Sequence, residues 1–354
     1  MPVTLAQAQV NTQTDVDFSV IDSLRRYSWL ADQMVFDNVA TPGTGGGTLT
    51  YGYTRLTTPR QAGFRDYNTE YTAAAATRQR YSVDLKPLGG AFTLDRVFSN
   101  LGPAATNEIT FQMNELLTSV RMRFQQELIR GDTAVDDRGF DGLDKILTGT
   151  DTEWDPNDNS VTAGYLDWTI STVNDQDKAM TALDYLDDFL SRIVPSRVGG
   201  GDLNQPGALP PGVKAILGNT QSITRVRALA RRAGAYTATQ DDLGRHIEMY
   251  GPWTLVDIGD RVDGSSPIIP IESRDADGSG GGGSIAGLTD LYAVSFGLDA
   301  FHAASPAGIP LLQTWMPDYD RAGAVKSGEV EMGPLAAVLR STKACGVLRN
   351  VKVQ

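Results

Sequence analysis

The stretch from Pro103 to Gly131, PAATNEITFQMNELLTSVRMRFQQELIRG, constrains this chain more than any other. Ile109, Met113, Leu116, Leu117, Val120, Phe124 and Leu128 recur at helical spacing and share one face. Gly102-Pro103 ahead and Gly131 behind are start and stop signals, with Thr106 or Asn107 able to cap. At 1.5 Å per residue the helix runs to roughly 40 Å, well beyond the usual three turns or so. Phe111, Met122 and Ile129 fall on the opposite side as a thinner apolar seam. Two readings fit that seam: isolated surface apolar residues, or a helix with partners on two sides, as a spine inside a larger assembly has. The flanking sequence favours the spine.

The chain has 354 residues, enough for two domains and a sizeable core. Its 31 basic and 43 acidic residues give a net charge of −12. That balance argues against tight, phosphate-neutralising nucleic-acid binding, though not against weak contact with enclosed nucleic acid on a locally basic face. A single cysteine, Cys345, forbids an intramolecular disulfide and reads as a small buried residue in a reducing compartment. The first seventeen residues show no basic region followed by an apolar run, and nothing approaches 18 consecutive apolar residues. The expectation is a soluble cytoplasmic product.

Residues 1–16 are polar and aperiodic and read as an extended arm. Ile21, Leu24, Trp29 and Leu30, with Phe36 beyond, suggest a short helix and its exit, which needs a surface to lie on. Composition then changes at TPGTGGGT (41–48), opening a segment that closes at PLGG (87–90). Leu49, Tyr51 and Tyr53, and later Tyr81, Val83 and Leu85, alternate with polar residues, so each run is a strand with one apolar face. The intervening PRQAGFRDYNTEYTAAAA is too long for a tight hairpin. The whole reads as a two-stranded ribbon hinged at Gly45, Gly46 and Gly47 and at Gly89 and Gly90. Such a ribbon is marginal alone in water and needs a support.

Residues 90–100 read as a strand leading to the long helix, and Phe140 and Leu143 as anchors between Gly139 and Gly142, where glycine permits a turn that other residues resist. A second domain begins near 160. It holds an amphipathic helix at 177–194, a buried strand, Asn219 cap and helix over 213–234, and shorter strands at 253–258, 267–271 and 291–296. DADGSGGGGSIAG is a flexible loop by composition. Residues 334–354 read as one or two long strands joined near Cys345-Gly346. The fold class is α+β with mixed sheets.

Catalytic patterns are weak. His246 and His302 are the two histidines, and neither sits in a metal motif. His302 with Ser305 lacks a nucleophile elbow. GTGGGT at 43–48 lacks the G-K-[ST] of a phosphate loop and leads into alternation instead of a helix. Asp155, Asn157 and Asn159 partly mimic a calcium loop, but Ser160 and Leu166 replace its glycine and glutamate, which favours a solvated turn. Asp184, Asp187 and Asp188 form a wet helix face. Arg225, Arg227, Arg231 and Arg232 suggest a solvated face or an intersubunit ion-pair strip before DNA contact. No metal ion or cofactor is expected, and no catalytic residue.

Four pieces taken in order, VIDSLRRYSWLADQMVFDNV, GGGTLTYGYTR with RDYNTEY, FDGLDKIL and STKACGVLRNVKV, resemble the major capsid proteins of tailed bacteriophages, the Hong Kong 97-like fold. The resemblance covers nearly the whole chain. It implies an N-terminal arm (1–39), an extended two-stranded E-loop (40–88), a P-domain (89–160) with its spine helix at 104–130, an axial A-domain (161–318), and terminal strands (319–354) returning to the P-domain sheet. It implies self-assembly into pentamers and hexamers of an icosahedral virion head, built in the host cytoplasm around double-stranded DNA. The partners implied are a portal protein and separate scaffolding and decoration proteins; no membrane is involved. Trp29 and Leu30 in the arm and Tyr51, Tyr53, Arg60, Phe64, Arg65, Asp66, Glu70 and Tyr71 in the ribbon are the expected intersubunit contacts. Some relatives weld their shells through an E-loop lysine. None occurs here between residues 39 and 85, so the shell is expected to be non-covalent. About sixteen residues precede the arm, which leaves scaffolding to a separate protein or a removed segment. The alternatives are an encapsulin-like nanocompartment shell and a soluble α/β enzyme.

Overall fold

The computed structural model describes residues 28–40, 49–97 (Ala74 excepted), 103–193 (160 and 162 excepted), 213–232, 236–240, 246–275, 284–306 and 309–354. The arm before residue 28, Gly45, Gly46 and Gly47, and most of the Gly-Ser run near 280 lie outside them. A short helix α1 (Trp29–Gln33) turns into strand β1 (Phe36–Ala40). The ribbon strands β2 (Thr50–Thr58) and β3 (Thr77–Asp84) follow, then β4 (Lys86–Asp95) and the long helix α2 (Pro103–Arg130).

Helix α2 matches the sequence expectation within a residue. Met113, Val120, Phe124 and Leu128 are buried on the expected face. Met122 and Ile129 on the other side are fully buried too, while Phe111 is half-buried. The second seam is therefore largely satisfied inside this chain. Gln125, buried between the two, explains how: its Oε1 accepts from the Leu30 backbone N–H at 3.1 Å and its Nε2 donates to the Ile258 carbonyl at 2.9 Å. One amide thus ties α1 and a distant loop to the spine, and because it is buried its loss would leave backbone groups unpaired.

Beyond α2, helix α3 (Leu143–Leu147) closes a tight turn. The glycines here act by close approach, with ordinary φ. A Cβ on Gly131 would stand 2.2 Å from the Phe140 carbonyl oxygen, and one on Gly142 would stand 2.5 Å from that of Glu127. Gly89 and Gly90 are closely approached in the same way. They lie inside β4, paired to Glu331 and Val330, where a Cβ would meet the Val330 carbonyl oxygen at 2.5 Å or Leu116 Cδ1 at 2.7 Å. They are packing glycines in a paired strand.

The second half of the chain adds short strands β5 (Glu153–Trp154) and β6 (Leu166–Asp167) and helices α4 (Ile170–Asn174) and α5 (Gln176–Arg192). Strand β7 (Lys214–Gly218) leads to α6 (Thr220–Arg232), and the hairpin β8 (Tyr236–Gln240) and β9 (His246–Tyr250) leads to β10 (Trp253–Asp257). Then come β11 (Glu272–Arg274), β12 (Ile285–Ser295), β13 (Phe301–Pro306), β14 (Leu312–Trp315), β15 (Val325–Leu339) and β16 (Cys345–Lys352).

Among the described residues these strands form two large sheets. One joins β1, β13, β15 and β14, with β4 on β15; the other runs β5-β16-β12-β7-β10-β9-β8, with β11 on β12 and β6 on β16. Its central strands β7 and β12 are buried on both faces, which is why they read as continuous apolar runs. Ala215, Leu217, Tyr292 and Val294 face the cluster around α2, while Ile216, Leu291 and Ala293 face α5 and α6. Asn219 is the expected cap: its Oδ1 accepts from the Ser222 N–H at 2.9 Å, and its Nδ2 donates to Ile269 O and Thr289 Oγ1.

Sheet membership cuts across the expected domain boundaries. β13 and β14, placed by sequence in the axial domain, pair with β15 beside the spine helix. The last strand, β16, goes the other way and pairs with β12. The expected strand at 267–271 is absent; its two prolines remove ladder donors, and Ile268 and Ile269 are simply buried. The hairpin β8–β9 escaped the sequence reading.

Candidate intersubunit surface

The ribbon is where sequence and surface diverge from an ordinary globular body. β2 and β3 pair antiparallel, with Tyr51 opposite Val83, Tyr53 opposite Tyr81 and Arg55 opposite Gln79. Residues 51, 53 and 55 therefore share one face, turned toward the body. Tyr51 is buried and its hydroxyl donates to Asp37 Oδ2 at 3.0 Å. Burial, and then that bond, pushes its pKa up to about 12. The Tyr53 and Tyr81 rings stack at 5.6 Å, and the Arg55 guanidinium lies 4.5 Å from the Tyr81 centroid and 5.3 Å from that of Tyr53. Arg55 then donates from Nε to the Arg340 carbonyl at 2.9 Å and from Nη2 to that of Leu339, capping the end of β15. The root of the ribbon is clamped.

Beyond Arg55 the clamp ends. Every described residue from Leu56 to Arg80 is exposed, including Phe64, Tyr67 and Tyr71, large apolar side chains that folding alone does not bury. The tip is nonetheless shaped. Arg65 Nη1 donates to the carbonyls of Asp66 and Thr69, its guanidinium lies over Tyr71 at 5.2 Å, and Asn68 takes a left-handed φ of 64°. Five arginines (55, 60, 65, 78 and 80) outnumber Asp66, Glu70 and Asp84, so the ribbon is locally basic in an acidic chain. A cleft of about 480 Å³ runs beneath its root, between Tyr53, Arg55 and Tyr81 and the loop carrying Asp137 and Phe140.

The expected contact residues separate into two groups. Arg60, Phe64, Arg65, Asp66, Glu70 and Tyr71 stand exposed on the tip. Trp29, Leu30, Tyr51 and Tyr53 instead pack on their own chain: Leu30 is fully buried, Trp29 sits edge-on to Phe296 at 6.0 Å, and Tyr53 is half-buried in the clamp. Sequence reasoning missed Arg55, although its period-two spacing from Tyr51 and Tyr53 marked it for the same face. Replacing Arg55 with Ala removes two carbonyl contacts and two ring contacts, so amide exchange across β2 and β3 is expected to speed up about tenfold or more while β7 and β12 keep their protection.

Other expected features prove internally engaged. Asp155 Oδ1 accepts from the backbone and side-chain nitrogens of Asn157, closing a local turn. Asp187 accepts from Tyr250 and Asp188 from Trp154, so the face expected to be wet is partly a docking face. Arg227 pairs with Glu248, Arg225 donates to the Val353 carbonyl and Arg232 to Asn174. Those three arginines of α6 serve their own chain. Cys345 is fully buried, its thiol pushed up to about 12 by desolvation. His302 is buried in β13, and the side chain of His246 lies outside the described residues. Among the described residues no cluster of acidic, His or Cys side chains is arranged to hold a metal.

No protein-family model matches the chain, and no curated protein sequence does. Solved structures do match. The capsid of a native GTA particle aligns with 96% of this chain and 95% of its own at a TM-score of 0.58 and 12% identity. The SrpI encapsulin of Synechococcus elongatus, in its holo complex, aligns over 100% and 97% at 0.57 and 14%. The capsid of Myoviridae phage XM1 aligns over 98% and 99% at 0.53 and 13%. At these identities the likeness speaks for the fold, and the fold is the Hong Kong 97-like one of capsid shell proteins.

Proposed function

We propose that this chain is a shell subunit, the major capsid protein of a tailed-phage head, which assembles as pentamers and hexamers around double-stranded DNA. The observation that carries the reading is the ribbon: clamped at its root, shaped at its tip, and exposed from Leu56 to Arg80 with three large aromatic rings in solvent. A limb of this kind gains its burial only on another copy. Its arginines call for an acidic seat with apolar patches. The wet face of β14 and β15 has that character: Trp315 opposes Glu329 there, Gln313 opposes Glu331, and Leu312, Met316 and Val325 are exposed nearby. The net charge of −12 suits DNA that is enclosed without being gripped. Domain roles follow the resemblance, with the α2 layer peripheral and the α5–α6 layer axial; portal, scaffolding and decoration proteins are its further partners.

A compartment shell around a protein cargo is the second reading, because the encapsulin aligns as completely as the capsids do. The long glycine-approached ribbon favours the head. Content separates the two: particles purified from infected cells should hold nuclease-protected double-stranded DNA. Particles filled instead with one stoichiometric cargo protein would move the assignment to the compartment.

A further inference from the structure

His302 is fully buried, and neither of its ring nitrogens makes a well-directed hydrogen bond, the Ala300 backbone offering only a weak contact. A core imidazole with two idle nitrogens adds nothing to stability that an apolar ring would not supply better. Its surroundings give it something to do. Nε2 lies 3.9 Å from Asp37 Oδ2, the same oxygen that accepts the Tyr51 hydroxyl, and the Tyr51 ring stands edge-on over the imidazole at 6.0 Å. Tyr51 opens the ribbon strand β2, whereas His302 and Asp37 belong to the body sheet.

We propose that His302, sealed beneath Tyr51 and beside Asp37, is an acid-sensitive latch holding the root of the ribbon on the body. The charged groups around it come from every packed element: Asp37 on β1, Tyr51 on β2, Asp299 on the turn before β13, and Arg340 just after β15. Burial, aided by Arg340, keeps the imidazole neutral while the latch is shut, with its pKa below the ordinary value despite the pull of Asp37. Protonation is then easier with Tyr51 lifted and the ring in water. The sign follows: the closed root holds fully above the open-state pKa of about 6.5 and is lost progressively as pH falls from there toward the lower closed-state value. A charged His302 also competes for Asp37, drawing the carboxylate from the Tyr51 hydroxyl. Arg55 couples the remainder of the ribbon, since it hangs from the Arg340 carbonyl. The consequence for assembly rests on the ribbon being an intersubunit limb; the latch itself does not.

Amide exchange over 50–58 and 77–84, corrected for the intrinsic pH dependence, tests this on the full chain between pH 8 and pH 5. Protection is expected to fall about tenfold for each unit by which the closed pKa lies below the open one. The same segments in His302→Gln should show a flat profile. An unchanged profile in the wild type, or an equal fall in the variant, overturns the latch. Exchange of the imidazole C2 proton of His302 in the wild type gives a reading that needs no variant: a midpoint below 6.5 supports the proposal, and one at or above it defeats it. Microscopy at pH 8 keeps the two readings apart. A chain that opens with acid but forms no particles keeps the latch and loses the shell, whereas particles with an acid-indifferent root keep the shell and lose the latch.

Discussion

Removal of residues 59–76, with Asn-Gly inserted to close the hairpin, leaves a folded, soluble chain that forms no stable shell. The strands survive because their register is set before the cut: Thr58 already faces Thr77 across the pair, and a two-residue type I′ turn fits there. The root survives because Tyr51 and Arg55 hold it from the body side. No described residue of the deleted stretch is buried, so the stability of the subunit should shift by no more than about 0.5 kcal/mol, as for other exposed surface. Assembly should respond quite differently. The deletion removes Phe64, Tyr67 and Tyr71 together with Arg60 and Arg65, and interface energy concentrates in buried aromatic and arginine anchors of this sort. Sedimentation is expected to show capsomers or single subunits where the intact chain gives particles. Stable closed shells from the deletion would refute the role assigned to the ribbon.

The second large effect lies in the body. Arg349 on β16 donates from Nε to Glu153 at 2.8 Å, and its Nη1 reaches Asp144 and, at 3.4 Å, Asp290. Asp290, almost wholly buried, also holds Arg274 at 2.7 Å, and Arg130 at the end of the spine helix lies 3.5 Å from Asp144. Burial opposes the Arg349 charge, yet Asp290 and Asp144 hold its pKa above the ordinary guanidinium value. One side chain thus neutralises carboxylates on α3, β5 and β12. Replacing it with Ala takes the guanidinium from Glu153 and leaves Asp144 and Asp290 with Arg130 and Arg274 alone in low dielectric, at a cost of about 3–5 kcal/mol, a large share of the roughly 5–15 kcal/mol typical of a folded domain. Urea unfolding of the ribbon-deleted subunit is the measurement of choice, because assembly cannot then mask the loss. Asp144 adds a pH signature. Burial works against its carboxylate, but Arg349 and Arg130 outweigh that and depress its pKa, so its contribution holds above the ordinary value of about 3.9 and fades as pH falls below it. A loss under about 1 kcal/mol would show the network to be dispensable.

Much of this architecture is legible where one physical rule dominates a segment. Helix α2 shows itself because seven apolar residues keep a single period over more than five turns, and the β7–Asn219–α6 unit because a buried strand, a cap and an amphipathic helix follow in order. The ribbon shows itself through two-residue alternation. What stayed hidden depends on partners far along the chain. The first half of β15, VKSGEVEMG, reads as polar and glycine-rich, yet Lys326, Val330 and Met332 point inward, and a Cβ on Gly328 would strike the Phe92 ring at 2.5 Å. Which sheet accepts β16 is decided by β12, more than fifty residues earlier, and an apolar run carries no mark of its sheet. The close packing at Gly89 and Gly90 stayed hidden because glycine signals freedom and close contact with the same letter. The His302–Asp37–Tyr51 group is assembled from three distant segments, so no local pattern announces it.

The account stands on a limb that its own body leaves uncovered. The most direct test is the mass distribution of the purified full-length chain at pH 8, read by analytical ultracentrifugation with negative-stain images of each fraction. The account predicts a dominant fast-sedimenting species that images as closed, uniform particles. A single-copy species that persists to high concentration, with Phe64, Tyr67 and Tyr71 still solvent-accessible, would contradict it.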